Sequence, residues 1–222
     1  MEETSYSLCN NKKEYFDKIL DKLFNHKRDG FYIEIGGNDG ITQSNTAFFE
    51  FYRNWKGILI EPSTKGYNLC KKNRPNSICV NKGCVSKYYI GNTAKGNFEN
   101  NSLMASIDGI RQKGYDNTSI TIAVSTLEKI LDAIDLTNLN VKNIDFLSLD
   151  VEGYELEVLQ GLNFDKYKPT YILVEIYRQQ FNSIINYLVE NNYKLVCNFS
   201  NYNNADNPIW DGTHNDYLFI AI

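Results

Sequence analysis

Apolar residues recur along this chain at two spacings that alternate from one segment to the next. Short continuous apolar runs bounded by Gly, Pro, Asn or Asp are typical of strands buried on both faces of a sheet. These runs predict seven strands, at 31–35, 57–61, 78–81, 144–149, 171–176, 194–199 and 217–222. Apolar residues at helical spacing predict helices at about 12–28, 45–53, 64–73, 125–133, 153–160 and 181–191.

Local polar signals refine the ends of these helices. Asn11 with Glu14, and Ser125 with Glu128, have the spacing of capping boxes, in which two side chains satisfy the first amides of a helix. Gly161 follows the helix at 153–160, where a glycine suits the C-cap. We therefore expect the first and fourth helices to begin at these boxes.

The order of the elements indicates the fold class. Strands alternate with helices through most of the chain, which favours a parallel sheet with helices on both faces. The last two strands have no helix between them, so we expect them to pair antiparallel at one edge. The predicted class is α/β, with a seven-stranded, mostly parallel sheet that has one antiparallel strand in its edge region.

One stretch does not fit the alternation. Residues 86–119 are weakly patterned and rich in Asn, Gly and Lys, and they are too long for a plain connector. Length favours one domain over 1–222, with 1–29 as an N-terminal helical segment and 86–119 as an insertion on the substrate side. The loop 200–216 would then cover the other half of the site.

Composition and charge exclude some functions. The chain has 222 residues, 23% charged residues and a net charge of −4, which is ordinary for a globular domain. Its acidity makes a nucleic acid an unlikely partner, since phosphate backbones select basic surfaces. No apolar run is long enough to span a membrane. The five cysteines lack a C-x-x-C motif, and with no export signal at the start we expect reduced thiols and a cytoplasmic location.

The first predicted strand runs into a glycine-rich turn, Glu34-x-Gly36-x-Asn38-x-Gly40, ahead of a helix. Glycine permits positive φ, and asparagine tolerates it best among the other residues. Glu61 ends the second strand, where an acid can accept hydrogen bonds from ribose hydroxyls. The pattern predicts a nucleoside-containing cofactor and leaves NAD and S-adenosyl-L-methionine (SAM) both open. The absence of G-x-G-x-x-G and of a basic residue in the turn favours SAM, which has no phosphate.

Three segments of the chain resemble the FkbM family of SAM-dependent methyltransferases. They are Phe31–Gly40 with Ser44-Asn45-Thr46, then Trp55–Pro62, and then Ile144–Glu155 with a continuation to Glu175. The third segment is the most specific, and the resemblance spans roughly residues 30–176. It implies a Rossmann-like class I methyltransferase fold, SAM as methyl donor, and a hydroxyl of a sugar or glycan as acceptor.

The resemblance also implies a set of cofactor-binding residues. Glu61 would hold the ribose, residues from Asn81 to Cys84 would flank the adenine, and Asp150 would lie beside the sulfonium. The residues implied around the methionine part are Glu34, Gly36, Asn38 and Gly40. Gly37 and Asn45 complete the predicted cofactor-binding set.

Methyl transfer to a hydroxyl requires a proton acceptor or a metal ion. The candidates at strand ends are Asp150, Glu152 and Glu175, which would repel one another and so raise a pKa or recruit a cation such as Mg²⁺. Capping of the next helix is an equally good role for Glu152. His214 lies in the loop 200–216, which would border the pocket if the last strand is antiparallel, and there it is either a base or a structural residue.

The main hypothesis is a SAM-dependent O-methyltransferase that acts on a carbohydrate hydroxyl. Two alternatives remain open: a SAM-fold binding subunit without catalysis, and a nucleic-acid methyltransferase, which the net charge disfavours. A homo-oligomer is compatible with the sequence.

Overall fold

The computed structural model describes residues 3–98, 107, 120–139, 141–206, 208 and 210–222. Six α-helices are present in this part of the chain: α1 Phe16–Leu23, α2 Ala47–Arg53, α3 Thr64–Asn73, α4 Leu127–Ile134, α5 Glu155–Gln160 and α6 Phe181–Glu190. The strands are β1 Phe31–Ile35, β2 Lys56–Ile60, β3 Ile78–Val80, β4 Gly83–Cys84, β5 Thr93–Gly96, β6 Ile120–Ser125, β7 Phe146–Leu149, β8 Tyr171–Tyr177, β9 Tyr193–Asn198 and β10 His214–Ala221.

The main sheet has seven strands in the order β3-β2-β1-β7-β8-β10-β9. Neighbours from β3 to β8 pair in parallel, and β10 pairs antiparallel with both β8 and β9. All seven predicted strands are in this sheet, and the predicted fold class is confirmed. Because β10 runs against the others, its first residue, His214, lies beside Tyr177 at the end of β8.

Alternate residues of the strands face two separate apolar cores. On β1, Ile33 and Ile35 pack in the core that also contains apolar residues of α4, α5 and α6. Tyr32 faces the opposite core, which contains apolar residues of α1, α2 and α3. Three helices therefore cover each face of the sheet, and the carboxyl ends of the parallel strands remain free to form a site.

A second, three-stranded sheet was not predicted from the sequence. Its order is β4-β6-β5, with β4 parallel and β5 antiparallel to β6. Part of the stretch 86–119 thus adds β5 to the fold. Residues 99–106 and 108–119 of this predicted insertion lie outside the described residues.

Several predicted helix ends were wrong. Helix α1 begins at Phe16 and not at 12, because Asn10, not Asn11, accepts the amides of Lys12 and Glu14 in a turn before it. Helix α4 is capped by Thr126, whose hydroxyl accepts the amide of Lys129 at 3.3 Å, and not by a box at Ser125.

Gly161 follows α5 as predicted, but for a different reason than the one expected. Its φ is −86°, which any residue can adopt. A Cβ at this position would lie 2.2 Å from the carbonyl oxygen of Val85. Glycine is therefore required here for close packing, since it lets α5 approach the chain after β4.

All five cysteines are free thiols. None of the helices in the described ranges is long and apolar enough to cross a membrane.

Candidate functional site

A pocket opens at the carboxyl ends of β1, β2 and β7, where the sequence placed the cofactor. The described part of its lining contains four acids and one lysine, and is therefore acidic. The lining residues are Glu34, Ile35, Gly36, Gly37, Asn38, Thr42, Gln43, Ser44, Glu61, Pro62, Ser63, Lys82, Gly83, Cys84, Phe98, Ile107, Asp150, Val151, Glu152 and Tyr154.

The turn after β1 has the left-handed geometry that the sequence predicted. Gly36 has φ +88° and Asn38 has φ +47°. The amides of Gly36 and Gly37 donate to the carbonyl oxygen of Ile60 at 3.0 and 3.2 Å, which fixes the turn against the end of β2. The amide of Asn38 is thereby aimed at Glu61.

Glu61 lies in the floor of the pocket and is buried. Its Oε2 accepts the amide of Asn38 at 2.9 Å, and its Oε1 accepts the amide of Ser63 at 2.7 Å. Burial raises the pKa of Glu61 to about 7, and the two amide hydrogen bonds oppose this shift. Each oxygen can accept a further hydrogen bond, so this carboxylate suits a ligand with two hydroxyl donors.

Glu34 lines the pocket, yet its carboxylate is largely occupied by the chain itself. It accepts the Ser44 and Thr46 hydroxyls at 2.9 and 2.5 Å and the Asn45 amide at 3.0 Å. Its role in the structure is to attach the segment 44–46 to β1. The buried guanidinium of Arg74 supports the same segment by donating to the Ser44 and Thr46 hydroxyls.

Three of the residues expected to bind the cofactor are not in the pocket lining. Gly40 packs against α3, and its carbonyl oxygen accepts the Arg74 guanidinium at 2.9 Å. The Asn45 side chain donates to the Ser148 hydroxyl at 3.0 Å. The Asn81 amide donates to the carbonyl oxygens of Glu61 and Pro62 at 2.9 and 3.0 Å. Asn45 and Asn81 therefore stabilise the walls of the pocket from outside it.

The end of the pocket near β4 is apolar. Cys84 is buried there, and burial raises the pKa of its thiol to about 12. Phe98 and Ile107 line the same pocket and are buried. Sequence reasoning missed these two residues because the stretch that contains them has no regular pattern. Their apolar surfaces suit the face of a planar base.

Acids gather at the opposite end, where β7 and β8 finish. Asp150 and Glu152 line the pocket, and Glu152 has a left-handed φ of +58°. The Tyr177 hydroxyl donates to Glu152 at 2.7 Å. Glu155, the first residue of α5, accepts the amides of Val151 and Gly153 in the turn before the helix, at 3.1 and 3.0 Å. The sequence offered Glu152 for capping this helix and did not predict the role of Glu155 in the preceding turn.

Glu175 and His214 are in contact with each other next to these acids, although neither is in the pocket lining. His214 Nε2 lies 3.2 Å from Glu175 Oε1, and His214 Nδ1 lies 2.8 Å from the Thr213 hydroxyl. Burial, followed by the charge of Asp150 and other acids, raises the pKa of Glu175 well above its usual range. The antiparallel course of β10 is what places His214 here.

His214 also lines a neighbouring groove with aromatic walls. The Arg178 guanidinium carbon lies 5.5 Å from the Trp210 ring centre, and the Trp210 indole donates to the His214 carbonyl oxygen at 3.1 Å. The other lining residues are Ile176, Phe181, Tyr202, Asn203, Asn215 and Tyr217. This part of the loop 200–216 therefore does lie beside the predicted site.

Comparison with known proteins indicates a methyltransferase. Residues 34–195 match the family model described as the methyltransferase FkbM domain. Among solved structures, fibrillarin from Aeropyrum pernix with natively bound SAM has a TM-score of 0.52 at 11% identity, over 93% of this chain and 77% of that one. The methyltransferase domain of METTL16 has a TM-score of 0.50 at 12% identity, over 93% and 66%. Among curated proteins, no sequence matches.

Proposed function

Because the chain belongs to the methyltransferase FkbM domain family, we propose that it transfers the methyl group of SAM to a hydroxyl oxygen of a carbohydrate or sugar-containing acceptor. The observation that carries this proposal is the acidic pocket at the carboxyl ends of β1, β2 and β7. The glycine-containing turn and Glu61 line this pocket, and Asp150 and Glu152 line one end of it. His214 lies outside the lining, in contact with Glu175.

The charge of the pocket favours SAM over a dinucleotide. Among the described lining residues, the acids are Glu34, Glu61, Asp150 and Glu152, and the basic residue is Lys82. A pyrophosphate would be repelled by this set, whereas the positive sulfonium of SAM would be attracted by it. The pocket thus fits a cationic nucleoside.

The buried carboxylate of Glu61 also suits the ribose of SAM. It is 7% exposed and has no cationic neighbour among the groups that shift its pKa. Two ribose hydroxyls would donate to the oxygens that now accept a single amide each, and would stabilise the ionised form. The apolar surfaces of Phe98 and Ile107 would then flank the adenine, and the residues around Gly36 would hold the methionine part.

The proton of the acceptor hydroxyl would be removed at the acid end of the pocket. SAM supplies the methyl group and leaves as S-adenosylhomocysteine. The acceptor hydroxyl forms its new C–O bond as it loses its proton, and His214 Nε2 is the group we propose to accept that proton. Glu175 Oε1 lies 3.2 Å from the same nitrogen, so the acceptor hydroxyl would replace Glu175 at Nε2 before the proton is transferred. The Thr213 hydroxyl on Nδ1 fixes the other side of the ring.

The groove beside His214 is the proposed acceptor site. Aromatic faces stack against the C–H faces of a sugar, and the amides of Asn203 and Asn215 suit its hydroxyls. Trp210 and Tyr202 come from the loop that the sequence assigned to this side of the site. The groove therefore supports a carbohydrate acceptor.

The experiment is a screen for S-adenosylhomocysteine release with monosaccharides, glycosides and nucleotide sugars. We expect release that depends on one class of carbohydrate, together with SAM binding in the micromolar range by calorimetry. Release with RNA but not with any carbohydrate would overturn the proposed acceptor class. Tighter binding of NAD than of SAM would overturn the proposed cofactor.

A further inference from the structure

Two buried carboxylates at the acid end of the pocket have oxygens without a hydrogen-bond partner. Glu155 is fully buried, and its Oε1 accepts two backbone amides while its Oε2 accepts none. Glu175 is 7% exposed, and its Oε2 is likewise unpartnered, while its Oε1 faces His214. A buried acceptor without a partner is costly, so both oxygens need a ligand or a proton.

Asp150 is a third carboxylate in the same group, and it is exposed. One carboxylate oxygen from each of Asp150, Glu155 and Glu175 lies within 4.8 Å of the other two. Oxygens that share a cation at the usual bond lengths of Mg²⁺ or Ca²⁺ lie at most about 4–5 Å apart. The three carboxylates therefore have the spacing of ligands on one hard cation.

The two buried carboxylates of the group have few ion pairs among the described residues. His214 is the ion-pair partner of Glu175, and Glu155 has no ion pair within the described part of the sequence. Four acids, Asp150, Glu152, Glu155 and Asp216, also lie near Glu175 and oppose its ionisation. Like charges in a buried site must be neutralised by protons or by a bound cation.

We propose that Asp150, Glu155 and Glu175 bind one divalent cation, Mg²⁺, Mn²⁺ or Ca²⁺, through carboxylate oxygens. Glu152, whose Oε2 accepts the Tyr177 hydroxyl, is not part of this group. The exposed position of Asp150 leaves one side of the cation open to the pocket. There the cation would hold the acceptor hydroxyl close to His214. That role rests on the proposed function, whereas binding of the cation does not.

Isothermal titration calorimetry of the full chain with MgCl₂, MnCl₂ and CaCl₂, without SAM or acceptor, tests the proposal. We expect saturable binding of at least one cation with a Kd between about 10⁻⁵ and 10⁻³ M. Asp150→Asn and Glu175→Gln should each weaken it about tenfold or more. Asp150 is exposed, so its variant keeps the test valid even where a buried variant fails to fold.

Glu157→Gln is the matched control. Glu157 lies on the same helix as Glu155 and also has a buried, unpartnered oxygen, but it is outside the cluster. We expect it to bind the cation as the wild type does. The absence of saturable binding up to about 10 mM, or equal binding by wild type and Asp150→Asn, would overturn the proposal. A chain that binds the cation and yet methylates no carbohydrate would instead contradict only the proposed function.

Discussion

Gly36 lies directly against the carbonyl oxygen of Asp150, and a Cβ added to Gly36 would be 1.8 Å from that oxygen. The glycine is therefore required by the neighbouring strand end as well as by its own φ of +88°. The amide of Asp150 in turn donates to the carbonyl oxygen of Ile35 at 3.2 Å. The cofactor turn and the acid end of the pocket are thus joined through the backbone.

Gly36→Ala should destabilise the whole fold and not only weaken ligand binding. Left-handed strain and the clash with Asp150 together should lower the free energy of unfolding by more than about 2 kcal/mol. Gly37→Ala is the matched control, because its Cβ would be 3.4 Å from Leu59, an ordinary contact. Urea denaturation of both variants measures the difference. Equal stability of the two would show that the turn can relax away from Asp150.

Glu61→Ala should weaken SAM binding by about 1–3 kcal/mol, through the loss of charge-assisted hydrogen bonds to the ribose. Calorimetry with SAM measures the change in Kd. Glu190→Ala removes an exposed carboxylate on α6 and should leave the Kd unchanged. If Glu61→Ala binds SAM as tightly as the wild type does, Glu61 is not the ribose ligand.

The stability of the ligand-free chain should fall as the pH rises through the pKa of Glu61. This pKa is about 7 in the folded chain, and its ordinary value is 4.5. Since the folded state prefers the neutral acid, the stabilisation is complete below pH 4.5 and is lost as the pH passes 7. The stability of Glu61→Gln relative to wild type should therefore rise by up to about 3 kcal/mol between pH 5 and pH 8.

Urea denaturation at each pH measures this dependence. Glu190→Gln serves as the control, and its stability relative to wild type should change little over the same range. A Glu61→Gln difference that stays constant with pH would show that Glu61 is ionised as easily in the folded chain as in the unfolded one.

The main sheet could be predicted because strands buried on both faces are continuous apolar runs. Ile58, Leu59 and Ile60 show this, since all three are fully buried. The second sheet gives a weaker signal: β4 has two residues, and β5 is Thr-Ala-Lys-Gly. In β6 the buried Ile122 and Val124 alternate with polar or small residues, and this period-two pattern was available in the sequence.

Some residues of the candidate site could likewise be predicted from the sequence, and others could not. Gly36, Asn38 and Glu61 could be placed because their positions depend on local turns at strand ends. The contact between Glu175 and His214 depends on the register of β10 against β8, which no local pattern specifies. Glu155 was missed because its position depends on where α5 begins, and helix ends are set by contacts that the sequence alone does not reveal.

His214→Ala should lower kcat by about 10²–10⁴-fold, because a hydroxyl nucleophile loses its proton acceptor. SAM affinity should stay the same, since His214 is not in the lining of the cofactor pocket. His26→Ala is the matched control: His26 is the other histidine of the chain, and its side chain is 61% exposed beside Asp21. It should retain full turnover. The measurements are steady-state kinetics with the acceptor from the screen and calorimetry with SAM. Unchanged kcat in His214→Ala would remove His214 from the chemistry, and a parallel loss of SAM affinity would indicate a structural role instead.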